Sequence, residues 1–339
     1  MQKFNNMPFW SKILIKVMLL VCVLVFAGFL FAYAYLNKIN YSVEAEPVLS
    51  DATMAANSNN NGTENGIKKD KTLFKKDIIN ILLVGQDKRP SESIARSDSM
   101  ILATINKNTK SVKLTSLMRD MYIEIPGYSE NKINSAYALG GMELLSETIE
   151  SNFLVNMDGC IEIDFSGFTK AIDAIGGIDL ELNKAEAAHL NYKYKFDLLE
   201  GVNHLTGEEA LEYSRIRYVG NDDYERTERQ RKVIVAAFNK FKESNIKTLF
   251  ELADRVLPLL TTNLTIPQIL ELITTVMLMD VSEIETYRIP ADGEFTPTNI
   301  DGMSVLLPDL VENRKLLKEF IGKWNLTIIK ERLKLKKIL

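Results

Sequence analysis

Arginine and aspartate recur together at three places in this 339-residue sequence. Asp87 and Arg89 lie in GQDKRP (85–90), Arg96 and Asp98 in ARSDSM (95–100), and Arg119 and Asp120 in LMRDMY (117–122). A fourth segment, RIRYVGNDDYERTERQR (215–231), holds five of the chain's 12 arginines and no lysine. Carboxylate oxygens suit Mg²⁺ or Mn²⁺, ions that keep waters and substrate phosphates as their other ligands. Asp87 and Asp98 are the pair available for that task. Guanidinium is planar and offers paired donors to phosphate oxygens, which ammonium does not. Arginines also stabilise the charge of a phosphoryl group in transfer. Isolated surface ion pairs of these residue types are worth little. Repetition at strand ends, together with the arginine cluster, favours a phosphate site over a solvated face.

The flanking pattern supplies elements to position these residues. IINILLVG (78–85) is a continuous apolar run, expected as a buried strand that ends at GQDKRP. Strands are expected at 100–106, 112–117 and 121–126, so that ARSDSM opens one and LMRDMY joins two. Ligand sites in open α/β sheets favour the carboxyl ends of strands. Further strands are expected at 160–165, 178–182 and 282–290, and helices at 141–152, 166–175, 247–260, 266–279 and 302–321. Thr206 and Glu209 form a capping box that opens a helix to about Ile216, broken by Gly220. Asp222 or Asp223 caps the next helix, which runs to about Glu243. The class is α/β, a mixed sheet covered on both faces.

On that long helix Arg226 and Gln230 are four apart, and Val233, Ala237 and Phe241 continue the stripe toward the core. Both polar residues should therefore point inward. Arg229 lies nearby with its role open, and Arg231 reads as solvated. Arg215 and Arg217 converge only if their helix ends at that point. The helix N-terminus adds its own anion preference.

The N-terminus indicates where such chemistry takes place. Residues 1–16 carry Lys3, Lys12 and Lys16, and 17–36 is a 20-residue run without charge. That length spans a bilayer of about 30 Å as a helix, with the basic end cytoplasmic. A cleavable signal peptide is the rival, but its apolar core is usually shorter. Residues 37–74 form a polar linker, 75–325 the globular domain and 326–339 a basic, apolar tail. The net charge of −4 gives no basic excess for a nucleic-acid partner. Cys22 and Cys160 imply no disulfide framework, and His189 and His204 stand alone without zinc spacing.

GQDKR, RSDSMILATIN, KLTSLMRDMYIEIPGY, NKINSAYALGG, IDFSGFTKAIDAIGGIDLEL, HLTGEEALEYSRIR and ERTERQRKVI occur in this order. Over about residues 78–240 the chain resembles the LytR-CpsA-Psr family of bacterial wall-polymer ligases. The resemblance implies an α/β/α sandwich with a central mixed β-sheet behind one N-terminal transmembrane helix, holding polyprenyl pyrophosphate in a hydrophobic cleft. It implies transfer of a glycopolymer phosphate from that lipid to a peptidoglycan sugar hydroxyl with Mg²⁺ or Mn²⁺, outside the membrane of a Gram-positive cell. By position, Asp87 and Asp98 match the family's metal-binding aspartates. Arg89, Arg96 and Arg119 match its phosphate-binding arginines, and Arg215, Arg217, Arg226 and Gln230 the positions that complete the pyrophosphate site. Asp87, Arg119, Arg215 and Arg217 are the residues expected to act in catalysis. Glu225 departs from the glycine common in the family, and NDDY from its GDF-type run, which puts the local loop geometry in question. A lipid-binding protein without turnover and a pyrophosphatase remain alternatives. A transcription regulator lacks support, since no helix-turn-helix with a basic recognition helix is seen.

Overall fold

The structure, a computed structural model, describes residues 40–41, 76–87, 96–217, 219–220, 222–243, 255–279, 281 and 283–322. Strand β1 is Asn40–Tyr41, β2 Ile78–Asp87, β3 Arg96–Asn106 and β4 Ser111–Leu117. The next strands, β5 (Tyr122–Ile123) and β6 (Asn131–Lys132), form a small ribbon before helix α1, Ile133–Phe153, which is kinked at Gly140 and Gly141. Strand β7 (Gly159–Asp164) leads into α2, Phe165–Ala174, where the Asp164 carboxylate caps the helix by accepting from the Gly167 N–H. Gly176 and Gly177, both at φ 83°, turn the chain into β8, Ile178–Leu182. Helix α3 (Lys184–Tyr194) opens with an Asn183–Glu186 capping box, and β9 is Gly201–Leu205. The expected Thr206–Glu209 box opens α4, Gly207–Ser214. Helix α5 is Asp222–Glu243, β10 Leu260–Thr262, α6 Ile266–Leu278 and β11 Ile284–Ile289. A hairpin of β12 (Phe295–Ile300) and β13 (Met303–Pro308) precedes α7, Leu310–Gly322.

Among the described residues seven strands form the central sheet, in the order β1-β10-β7-β2-β3-β4-β11. It is mixed: β2 runs parallel to β7 and antiparallel to β3, and β4 pairs parallel with β11. Alternation along β2 and β3 explains why both faces are covered. Leu82, Val84, Met100 and Leu102 meet α1 and α7 on one face. Ile79, Ile81, Ile101 and Ile105 meet α5 and α6 on the other. A third apolar cluster joins α2, α3, α4 and the β8–β9 ribbon to Val233 of α5.

Several expected elements differ. The run 121–126 yields only the two-residue β5, with Met121 bridging to Leu306. The run 302–321 is a strand followed by a helix. Asp301 and Gly302, at φ 51° and 79°, form the tight turn between β12 and β13, because two positive-φ residues match strand twist in a two-residue hairpin. The helix expected over 247–260 is helical in its described part only at 255–256, and is followed there by a 3₁₀ turn at Leu257–Leu259 and then β10. Among the described residues no helix is long and apolar enough to cross a membrane. Residues 1–16, the apolar run 17–36 and the tail 326–339 lie outside the described residues, as does most of 37–74.

Candidate functional site

A cavity of about 420 Å³ lies between the sheet and helices α2, α4 and α5. Its walls are apolar: Leu83, Ile101, Ile161 and Ile163 from the sheet, Phe165 and Phe168 from α2, and Val233 and Ile234 from α5. Asp98, Ser99, Arg215, Arg217, Arg226 and Gln230 also line it, and make one part strongly polar. These residues converge because α4 ends at Ser214, two residues sooner than expected. Arg215 and Arg217 therefore lie beyond the helix and both reach the cavity. Arg226, Gln230 and Val233 share one stripe of α5 and point inward, as their spacing requires.

Asp223 organises the arginines. Its Oδ1 lies 3.1 Å from Arg226 Nη1 and 3.7 Å from Arg217 Nε, and its Oδ2 is 3.7 Å from Arg119 Nη2. The sequence offered Asp223 only as a helix cap. It is instead the second residue of α5, facing three guanidinium groups that meet from different elements. Only the fold brings those three together, so no local pattern could have found this role.

Arg119 is enclosed by carboxylates. Its Nη1 donates to Asp98 Oδ1 at 3.0 Å and its Nε to Asp120 Oδ2 at 3.3 Å, while Lys132 Nζ holds the other Asp120 oxygen at 2.6 Å. Burial alone would lower its pKa, but the charges of Asp98, Asp120 and Asp223 outweigh burial and raise it. Arg226 is the opposite case. It is 4% exposed, its Nε has no hydrogen-bond partner, and burial pulls its pKa down to about 10 against the opposing charge of Asp223. It stays cationic at neutral pH with a donor free, and a buried unpaired donor costs about 1–3 kcal/mol. Gln230 Oε1 accepts from Ser99 Oγ at 3.1 Å, which fixes its amide at the wall. Arg215 Nη1 donates to Glu212 Oε1 at 2.9 Å, and its guanidinium lies 4.9 Å from the Phe165 ring centre.

Asp87 closes β2 with its backbone opposite Arg96, two residues before Asp98 on the neighbouring strand. Neither the Asp87 nor the Arg96 side chain is among the described ones, and Arg89 lies outside the described residues. Among the described residues no group of three or more His, Cys, Asp or Glu side chains could hold a metal ion. The donor set here, Asp98 on the cavity wall beside the end of β2, is of the one- or two-carboxylate type that Mg²⁺ accepts with substrate oxygens.

Two arginines of the cluster belong to the framework. Arg231 is not solvated: it is 7% exposed and donates from Nη1 to Ser116 Oγ at 2.8 Å, because its side of α5 packs against β4. Arg229 is 1% exposed. It donates to Glu186 Oε1 at 2.8 Å, Glu225 Oε2 at 2.7 Å, and the carbonyls of Ile216 at 3.2 Å and Val219 at 2.8 Å. Glu225, awkward in the sequence, therefore spans one turn of helix to a buried cation.

The model of the LytR_cpsA_psr family matches residues 47–320. The polyisoprenyl-teichoic acid–peptidoglycan teichoic acid transferase TagU of Bacillus cereus is 31% identical over 289 residues, 84% of this chain and 89% of the relative. Regulatory protein MsrR of Staphylococcus aureus is 31% identical over 250 residues, 72% of this chain and 74% of that one. Among solved structures, the family protein YwtF (TagT) with bound octaprenyl pyrophosphate lipid is 25% identical, with a TM-score of 0.58 over 73% of this chain and 92% of that chain. By sequence over most of its length and by fold, this chain belongs to the LytR-CpsA-Psr family.

Proposed function

We propose that the protein transfers a glycopolymer phosphate from a polyprenyl-pyrophosphate carrier to a sugar hydroxyl of peptidoglycan. The observation that carries this reading is the cavity itself. Apolar walls adjoin an arginine-lined part, and Arg226, which lines it, keeps its Nε unpaired. The TagU relative's name and the lipid bound to YwtF support the same substrate class.

In this reading the prenyl chain lies along Leu83, Ile161, Phe168 and Val233, and the pyrophosphate meets Arg215, Arg217, Arg226 and Gln230. A phosphate must compete with Asp223 for Arg217 and Arg226, so the arginines arrive pre-oriented as a fan and exchange one anion for another. The hydroxyl oxygen of the acceptor attacks the phosphorus that carries the glycopolymer. The bond from that phosphorus to the bridging oxygen breaks, its electron pair stays on the bridging oxygen, and polyprenyl phosphate leaves. The hydroxyl proton passes to a base. The arginines offset the charge on the equatorial and bridging oxygens, where catalysis of phosphoryl transfer gains most. Mg²⁺ or Mn²⁺ held by Asp87 and Asp98 would supply further neutralisation of the phosphate oxygens. Arg89, Arg96 and Arg119 complete the phosphate-binding set. The apolar run 17–36 anchors the chain with the domain outside the cytoplasm. No step needs nucleic acid, and the transfer energy arrives with the lipid.

The test is transfer in vitro from a short-chain polyprenyl-pyrophosphoryl glycan to oligomeric peptidoglycan with Mg²⁺. Polymer linked to peptidoglycan is the expected product, and Arg226→Gln should lower its rate by about 10²-fold, the effect of losing one strong charge-stabilising donor. Release of free polymer phosphate with no linkage would show a pyrophosphatase instead.

A further inference from the structure

The outer face of α6 carries no charge. Its sequence, IPQILELITTVML, has one ionisable residue, Glu271, which is 4% exposed and lies 3.5 Å from Lys107 Nζ. Ile269, Leu272 and Val276 pack toward the sheet. On the other side Pro267 and Thr274 are exposed, with Ile273 at 45%, Met277 at 51% and Leu278 at 80%. Single exposed apolar residues are ordinary, but three within one six-residue stretch make a contiguous patch that water disfavours. Val311 of α7 is equally bare, yet it stands beside Glu312 and Lys315, which are paired with each other.

The position of α6 identifies what covers it. The 20-residue apolar run ends at Leu36, four positions before Asn40. At most about 14 Å of extended chain separates those two residues. Asn40 and Tyr41 are pinned in the sheet, paired parallel with Thr261 and Thr262 of β10. Strand β10 is followed at once by α6. Leu260 of β10, and Ile161 and Ile163 of the adjoining β7, also line the cavity. The tether and one wall of the apolar cavity thus share the β1–β10 edge of the sheet, and the uncharged helix starts from that edge and crosses toward β11.

We infer that α6 is a membrane-docking face, seated in the interface of the outer leaflet, and that the prenyl chain passes from the bilayer into the cavity beside Leu260. A helix with one face packed on protein and the other uncharged and apolar suits the boundary between headgroups and acyl chains. The entry route rests on the proposed lipid substrate. The docking does not, because it follows from the tether and the helix surface.

The full chain is reconstituted in phosphatidylglycerol–phosphatidylcholine vesicles, with Cys22→Ser leaving only the buried Cys160. Spin labels are placed at Ile273→Cys, Met277→Cys and, as a control, Val311→Cys. Labels at 273 and 277 should be accessible to oxygen and shielded from an aqueous nickel chelate, with the reverse at 311. Equal nickel access at all three positions overturns the docking. The double variant Ile273→Glu/Met277→Glu should turn over a vesicle-embedded long-chain substrate several-fold more slowly, with a short-chain soluble analogue unaffected. Equal loss on both substrates overturns the entry route. If the parent chain turns over neither substrate, the proposed reaction fails, and the spin labels still decide the docking.

Discussion

Replacing Arg229 by methionine removes the most heavily bonded cation among the described residues. Four donor contacts go at once: two to carboxylates and two to loop carbonyls. The dominant loss is at Glu186, whose side chain is 6% exposed and would be left as a buried charge without its counter-ion. Breaking a buried pair from one side costs about 3–5 kcal/mol. The Glu225 contact adds little, since that carboxylate is 39% exposed and water can take over. For a domain of this size each kcal/mol shifts Tm by about 2–4 °C, so a fall on the order of 10 °C is expected. Circular dichroism against temperature measures it. The double variant Arg229→Met/Glu186→Gln should recover most of the loss, because removing both charges is nearly neutral and glutamine preserves the α3 capping box. Transfer activity should stay low in the double variant, since the carbonyls of Ile216 and Val219, which bracket Arg217, remain untied. A single variant within about 1 kcal/mol of the parent, or a double variant no more stable than the single, would refute this account of Arg229.

Arg226→Lys keeps the charge but loses the fork, and transfer should fall by at least about tenfold with Tm little changed, as read by the vesicle assay and calorimetry. Chelation with EDTA should abolish transfer and Mg²⁺ or Mn²⁺ restore it, with Asp98→Asn shifting the metal requirement upward; full activity after chelation would remove the metal from the reaction. Arg231→Met should leave stability within about 1 kcal/mol, since a buried cation with its Nε unpaired gives little over an apolar side chain of similar volume; denaturant titration decides. Burial would raise the Asp120 carboxyl, but the Lys132 hydrogen bond and the Arg119 charge outweigh it and hold its pKa below 3.8. A depressed folded pKa gives stability present above the unfolded value and lost as pH falls through the folded one. Asp120→Asn should therefore be less stable than the parent at pH 7, with the gap closing below about pH 4.

Elements whose apolar pattern is long or strictly alternating were legible. The run 78–85 became β2, IDLEL became β8, and the Thr206 capping box set the start of α4. One cause of failure is a short apolar run that fits both periods. MSVLL inside 302–321 was absorbed into a helix although Asp301-Gly302 before it is a strong hairpin signal. Helix α3 went unread despite Asn183 and Glu186 standing at capping-box spacing. The site was legible as a list of residues, because guanidinium and carboxylate types carry their chemistry in their identity. It was not legible as a network. That Asp98 faces Arg119 across 21 positions, or that Asp223 gathers three arginines, depends on pairings that only the sheet and the end of α4 create.

Three of the five arginines of 215–231 lie on α5 and show how one helix sorts identical side chains. Successive residues of an α-helix differ by about 100° in direction, so Arg226, Arg229 and Arg231 cannot do the same work. Position 226 shares its stripe with Gln230 and Val233 and opens on the cavity. Position 229 faces α3 and the loop after α4, where Glu186 and two carbonyls consume its donors. Position 231 turns to β4 and finds one serine. Charge count alone would credit all five with anion binding. Donor accounting credits Arg226 first, because it is buried, lines the cavity and keeps a donor unpaired, whereas Arg229 is saturated. Arg229 contributes to the site indirectly: by tying Ile216 and Val219 to α5 it sets where Arg217 stands relative to Arg226. The arginine proposed to bind substrate and the arginine that ties the loop are thus neighbours on one helix, separated by burial partners and not by residue type.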